Sequence, residues 1–187
     1  VVCVDWDEAI AFCRWLSEKE GRTYRLPNDA EWSAAAGPAR HAWGEAWPPP
    51  ANSGNFWDLQ AVRQLPGDWS RSVIGGGSYD DGAERTARVA SYPPNEHGFH
   101  DLAGNVWEWL ADDYRPSLNP PELLESKSLL RESLDGQGRP FKVLRGGSWS
   151  NFSPSDFRND ARDYDERDRR DDDYGFRLVL ELPNGPR

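Results

Sequence analysis

Residues 150–174 gather the side chains best suited to binding. The stretch holds eight Asp, five Arg, three Ser, two Asn, two Tyr and two Phe, and no Lys, Leu, Ile, Val or Gly. Interleaved Asp and Arg commonly form a solvated, paired surface. The same palette suits a recognition face, where Tyr supplies amphipathic contact area and Ser, Asn and Asp supply adaptable hydrogen bonds. Other constellations are weaker. His97 and His100 flank a turn, but zinc needs more ligands at suitable spacing. Gly75-Gly76-Gly77-Ser78 lacks the Lys-Ser/Thr and following helix of a phosphate loop. Asp171-Asp172-Asp173 could attract a cation, yet adjacent aspartates in a charged run more often stay hydrated. Cys3 and Cys13 allow at most one bridge and no four-cysteine zinc site.

These residues need a frame, and the sequence has the material for one. With 187 residues, one domain is expected. Apolar residues make up only 37 %, but ten Trp, six Tyr and seven Phe supply a core of large aromatics. Val1–Val4 reads as a short strand, and the abrupt apolar start reads as the interior of a larger protein. Asp5 caps a helix whose Ala9, Phe12, Cys13 and Leu16 share a face, and Gly21 ends it. Asn28 and Glu31 have capping-box spacing for a second helix, stopped by Gly37-Pro38. From 38 to 100 no period persists, so turns and buried Trp must organise the chain. Strands are expected at Val106–Leu110, Phe141–Leu144 and Phe176–Leu182. Residues 115–140 read as an exposed excursion, with a short helix around Leu123–Leu130.

Lys and Arg total 22 against 32 Asp and Glu, a net charge of −10. Such a chain gains nothing from counterion release on a polyanion, so nucleic acid is not an expected partner. No apolar run approaches the ~20 residues of a membrane span, and no basic-then-apolar leader is present.

Four motifs occur in order: Thr23-Tyr24-Arg25-Leu26-Pro27 with Ala30-Glu31-Trp32; Gly98-Phe99-His100-Asp101-Leu102-Ala103-Gly104-Asn105-Val106-Trp107-Glu108-Trp109; Leu144-Arg145-Gly146-Gly147-Ser148-Trp149; and Gly175-Phe176-Arg177. Through them the chain resembles the formylglycine-generating enzyme, or sulfatase-modifying factor, family over nearly its whole length. The resemblance implies an α+β, C-type-lectin-like fold: loop-rich, with small antiparallel sheets and two short N-terminal helices. It also implies a single domain lacking the N-terminal portion of the family's domain, with 115–140 as an exposed insertion.

Fold does not carry function. The family's oxidases use two cysteines shortly after Arg-Gly-Gly-Ser as soft ligands for copper. Asn151 and Asp156 stand at those positions, and neither forms a thiolate. No copper and no oxidase activity are therefore expected. Relatives bind structural calcium through hard oxygens. Carried over by position, one site would use Asn55, Phe56, Asp81 and Ala83, and another Ala103, Gly104, Val106 and Glu108. Variable proteins of diversity-generating retroelements carry a stretch like 150–174 on this fold. The residues here that fit their palette are Asn151, Phe152, Ser155, Asp156, Phe157, Asn159, Asp160, Asp163, Tyr164, Asp172, Asp173 and Tyr174. Composition is equally compatible with a non-diversified member.

The expected function is a ligand-binding module whose partner is a protein or other surface ligand. The alternatives are a substrate-contacting domain of a non-haem iron sulfoxide synthase, or a sensor domain of a larger effector. If the stretch is a face, Arg145, Ser148, Trp149, Arg162, Arg170, Phe176 and Arg177 should be buried scaffold. Asn151, Phe152, Asp156, Asn159, Asp163, Tyr164, Asp172 and Tyr174 should share an exposed patch.

Overall fold

In the computed structural model, residues 1–63, 73–115 and 134–182 are described. Helix α1, Trp6–Glu20, begins where local chemistry dictates. Asp5 Oδ1 accepts from Glu8 N at 2.8 Å, and Glu8 Oε2 accepts from Asp5 N at 3.1 Å. The pair satisfies two backbone donors that a helix start leaves free. At the other end Gly21 turns left-handed (φ 65°) and donates to Ser17 O. Helix α2, Asp29–Ala36, repeats the device with Asn28 and Glu31. Glu31 also receives both Nη groups of Arg25 at 2.7 Å, which hold its carboxyl down at about 2. A one-turn α3, Leu59–Val62, is capped by Asp58.

The strands are short: β1 Tyr24–Arg25, β2 Trp107–Asp113, β3 Lys142–Arg145, β4 Asp163–Asp165, β5 Tyr174–Gly175 and β6 Val179–Leu180. Four form one sheet in the order β4-β3-β2-β5, with β2–β5 parallel and the other pairs antiparallel; β1 and β6 form a separate antiparallel pair. Central β2 and β3 are buried from Trp107 to Leu110 and from Lys142 to Arg145. On one side α1 delivers Ala9 and Cys13 against Trp107, Trp109 and Leu144. Trp32 and Ala36 of α2 pack with Leu102, Leu110 and Val143. A third cluster, Phe56, Ile74, Tyr79, Ala103 and Phe157, fastens the irregular 38–100 region to the 150s.

Two expectations change, and one is not reached. Val1–Val4 is no strand: Cys3 takes a left-handed backbone (φ 59°) and donates to Asp171 O at 2.9 Å, which turns the segment away from extended pairing. Phe176–Leu182 is not one strand either. The chain leaves the large sheet after Gly175 and joins β1 only at Val179, while Arg177 between them is drawn to Glu108. The helix expected around Leu123–Leu130 lies outside the described residues.

Candidate functional site

The turn after β3 builds the site. Arg145 is fully buried, its face 4.4 Å from the Trp32 ring; it donates to the Asp29 carboxylate, to Asn159 O at 2.5 Å and to Ser33 Oγ at 3.3 Å. Burial lowers its pKa to about 10, with Asp29 opposing the shift, so it remains a cation at neutral pH. Asp29 also accepts from Arg162 Nε at 2.6 Å. The chain then crosses Gly147 (φ 72°), where a Cβ would lie 2.8 Å from the Phe157 ring. Only glycine fits that turn and that approach.

Beyond it, Ser148 is buried and its Oγ donates to Asp173 Oδ2 at 2.6 Å and lies 2.9 Å from Asn151 Oδ1; Ser150 Oγ donates to the same Asp173 oxygen at 2.7 Å. Asn151 Oδ1 also accepts from Ser148 N. Asp156 has its pKa raised by burial, against the pull of hydrogen bonds from Ser155, the Ser153 backbone and the Asn151 side chain. Residues 151 and 156 thus share one loop, Asn151 turned to Ser148 and Asp156 to Ser155. Among the described residues no Lys or Arg pairs with Asp156. Trp149 is buried beside Trp57, ring centroids 6.2 Å apart, and Arg85 lies over it while pairing with Asp172 at 2.5 Å.

The structure divides the twelve candidate residues. Phe152, Ser155, Asp160, Asp163 and Tyr164 are exposed, and Asn151, Asp156 and Asp172 are half-buried. Asp163 has its pKa raised by crowding from protein, with Asp165, Asp156 and Asp173 adding repulsion, so these carboxylates share one field. Tyr164 stacks on Tyr114 at 3.9 Å. Phe157, Asn159 and Asp173 are buried, contrary to the expectation of a face. Phe157 fills the core against Phe56, 4.7 Å away. Asn159 Nδ2 donates to the carbonyls of Ala36, Gly37 and Ala39 beyond the end of α2. Asp173 is occupied by the two serines. Tyr174 is half-buried against Trp109, its hydroxyl donating to Asp165 Oδ2 at 2.9 Å.

The scaffold set divides too. Arg145, Ser148 and Trp149 are buried; Arg162, Phe176 and Arg177 are partly so. Arg170 is exposed, because its partners Asp5 and Glu8 sit at the outer end of α1. Arg85 is a site residue that sequence reasoning missed, since a loop Arg between turns carries no distinguishing signal.

The two calcium arrangements differ in fit. Asn55 is buried with Oδ1 unpartnered. Asp81 faces no described Lys or Arg, and burial, reinforced by Asp58 and Asp80, pushes its carboxyl up to about 6. Its oxygens accept from Phe56 N and Ala83 N, so three residues of that set meet, with Asn55 next to Phe56 in the chain. An unpartnered buried amide oxygen and a buried carboxylate with no cationic side chain are the kinds of hard oxygen donor a cation such as calcium takes. Around Glu108 the residues do not fit. Its oxygens accept from Arg177 Nε and Nη2 at 2.6 Å and from Trp32 Nε1 at 2.8 Å, so the partner it needs is a guanidinium. The Gly104 carbonyl there accepts from Val106 N.

Asp171, Asp172 and Asp173 bring oxygens within 4.8 Å of one another. Each already has a protein partner, Arg169, Arg85 and the two serines respectively. His100 Nδ1 lies 2.7 Å from Tyr92 O and His97 beside Glu96, so neither is arranged as a zinc ligand.

Fold and site together define a loop-rich α+β scaffold of the C-type-lectin-like class. Residues 1–182 match the sulfatase-modifying factor enzyme 1-like domain, and the chain belongs to that family. It is 33 % identical over 185 residues to a formylglycine-generating enzyme of Streptomyces coelicolor, covering 96 % of this chain and 52 % of that protein. It is 31 % identical over 188 residues to the inactive C-alpha-formylglycine-generating enzyme 2 of Mus musculus, covering 96 % and 48 %. The chain thus spans about half the length of these relatives. Among solved structures, PvdO from Pseudomonas aeruginosa superposes with TM-score 0.68 at 27 % identity, over 97 % of this chain and 62 % of that one. Treponema denticola variable protein 1 superposes with TM-score 0.67 at 22 % identity, over 95 % and 69 %, a likeness of fold.

Proposed function

We propose that this domain is a recognition module without formylglycine-generating activity, binding its ligand through the surface built by Asn151, Phe152, Ser155 and Asp156 with Asp163, Tyr164 and Asp172. The observation that carries this reading is the residue pair Asn151 and Asp156 in the loop after Arg-Gly-Gly-Ser. The family's oxidases carry cysteines there, whereas this chain carries an amide and a half-buried carboxylate without a described cationic partner. Soft copper ligands are replaced by hydrogen-bonding groups, which favours polar or cationic ligand groups over redox chemistry. Exposed Phe152 and the Tyr164–Tyr114 stack add apolar contact on the same stretch. The similarity to an inactive relative accords with this reading.

Calcium at Asn55, Phe56, Asp81 and Ala83 belongs to the proposal as a structural ion that would stiffen the loop beneath the 150s. Retroelement diversification of the face is a narrower form of it. A reverse-transcriptase gene nearby, with an imperfect repeat of the segment encoding 150–177, is the observation that would establish it.

The direct test incubates the purified protein and copper with a sulfatase-motif peptide and follows the cysteine by mass spectrometry. The cysteine should remain unchanged. Conversion to formylglycine would overturn the non-oxidase reading.

A further inference from the structure

His41 belongs to no part of the 150s surface, although it is anchored to that stretch. It is 1 % exposed, its backbone pairs with Gly44 and bridges to Arg158, and its Nδ1 lies 3.1 Å from Phe157 O. A carbonyl oxygen can only accept, so Nδ1 carries the proton and Nε2 of the neutral ring presents a lone pair. Burial lowers the imidazole pKa, with the Phe157 carbonyl opposing, which keeps the ring neutral at pH 7. One ring face stacks on Trp43, centroids 4.6 Å apart and planes 7° from parallel. Nε2 hydrogen-bonds to no described residue.

A cavity of about 240 Å3 opens at this histidine, with Trp43, Ala39, Ala42, Pro94 and Glu96 among its other walls. Hydrogen bonds fix those walls in place. Asn95 Nδ2 donates to Ala35 O at 2.7 Å and Ala36 O at 3.3 Å, which ties the 94–96 turn to the end of α2. Asn159 Nδ2 holds the carbonyls of Ala36 and Ala39 from the other side. With Nδ1 on Phe157 and a ring face on Trp43, Nε2 is the polar atom His41 has left to offer an occupant. No Lys or Arg lines the cavity. Glu96 is exposed, and its described ion-pair partner is His97 at 3.5 Å, which is no permanent cation.

We propose that this cavity binds a small primary ammonium ion with a hydrocarbon body, which donates to His41 Nε2, sets its charge against Glu96 and packs its carbons on Ala39, Ala42 and Pro94. A neutral imidazole and a carboxylate both accept, and an ammonium group brings three donors and the opposite charge. Such charge-assisted bonds are roughly twice as strong as neutral ones. An anion would meet Glu96 and no cation, and an alcohol would satisfy Nε2 but leave Glu96 unanswered. A metal ion would need more ligands, and among the described residues the three clustered candidates are Asp171, Asp172 and Asp173. The volume lies below the range of about 300–1,000 Å3 usual for drug-sized ligands, so the occupant is small.

The test is NMR of the histidine ring nitrogens in 15N-labelled protein, titrated at pH 7.5 with benzylamine and, separately, with benzyl alcohol and benzoate. The chain has three histidines, so replacing His97 and His100 in turn by Gln assigns the His41 signals without touching His41. Benzylamine should move the unprotonated nitrogen of His41 saturably, and the alcohol and the carboxylate should bind about tenfold more weakly or worse. Glu96→Gln should weaken benzylamine by about tenfold with the melting temperature retained, since the position is exposed. An unmoved Nε2, or benzyl alcohol matching benzylamine, would overturn the proposal. Benzylamine held by the acidic 150s surface alone would leave Nε2 unmoved and count against the cavity, while the reading of that surface would stand.

Discussion

Arg145 shows how one side chain holds a loop-rich site in place. It is fully buried, remains cationic and links α2, through Asp29 and Ser33, to the backbone at Asn159. Removing a partner from a buried charged network leaves the remainder desolvated and unpaired, at a cost of about 3–5 kcal/mol. Arg145→Ala should therefore lose about that much in denaturant unfolding, and Arg145→Lys should recover only part, because an ammonium lacks the planar fork. Asp81 makes the complementary prediction. Its folded pKa of about 6 lies above the ordinary 3.8, so its stabilising effect is complete below pH 3.8 and is lost as pH rises through 6. A bound cation would offset that loss. Calcium should raise the melting temperature at pH 7.5 and much less at pH 5; identical curves in calcium and chelator at pH 7.5 would count against the ion. At this scale the sequence was only partly legible. Spacing after Arg-Gly-Gly-Ser singled out residues 151 and 156, and both lie half-buried in that loop. Composition failed for Phe157, Asn159 and Asp173, because Phe, Asn and Asp serve a core, a carbonyl cluster or a surface equally well. Which role each plays depends on contacts more than a hundred residues away for Asn159, as with Ala36.

The helices were readable because their signals are local. Asp5 with Glu8 and Asn28 with Glu31 satisfy donors within one turn, and Gly21 closes α1 where the pattern stops. Asn28→Ala should cost about 1 kcal/mol, the usual loss for a cap, read as a lower midpoint at unchanged denaturant slope. An unchanged midpoint would show that packing of Trp32 alone fixes α2. Strands were harder to place. β5 and β6 are two residues each, and their pairing with β2 and β1 depends on distant register rather than on a period-2 pattern. The Val1–Val4 run has the composition of a strand, yet its backbone is tied to Asp171 instead. Residue 177 divides the final segment, since Arg177 must reach Glu108 from between the two sheets.

Across the whole molecule, a net charge of −10 coexists, among the described residues, with one fully buried arginine, Arg145, and with partly buried Arg162 and Arg177 paired to carboxylates. Within 145–177, buried scaffold residues such as Arg145, Phe157 and Asn159 alternate with exposed Phe152, Asp163 and Tyr164. The central claim is that these two populations are separable within a single stretch of chain. It is tested most directly by displaying a library randomised position by position over 145–177 and sorting it for retained fold with a conformation-dependent protease. Phe152, Ser155, Asp156, Asp163, Tyr164 and Asp172 should accept most residues, each within roughly ±0.5 kcal/mol as at ordinary surface sites. Arg145, Gly147, Phe157, Asn159 and Asp173 should reject nearly all, with Phe157→Ala costing about 3–5 kcal/mol through the cavity it leaves. Uniform tolerance across both groups, or rejection concentrated at 151–156, would contradict the account.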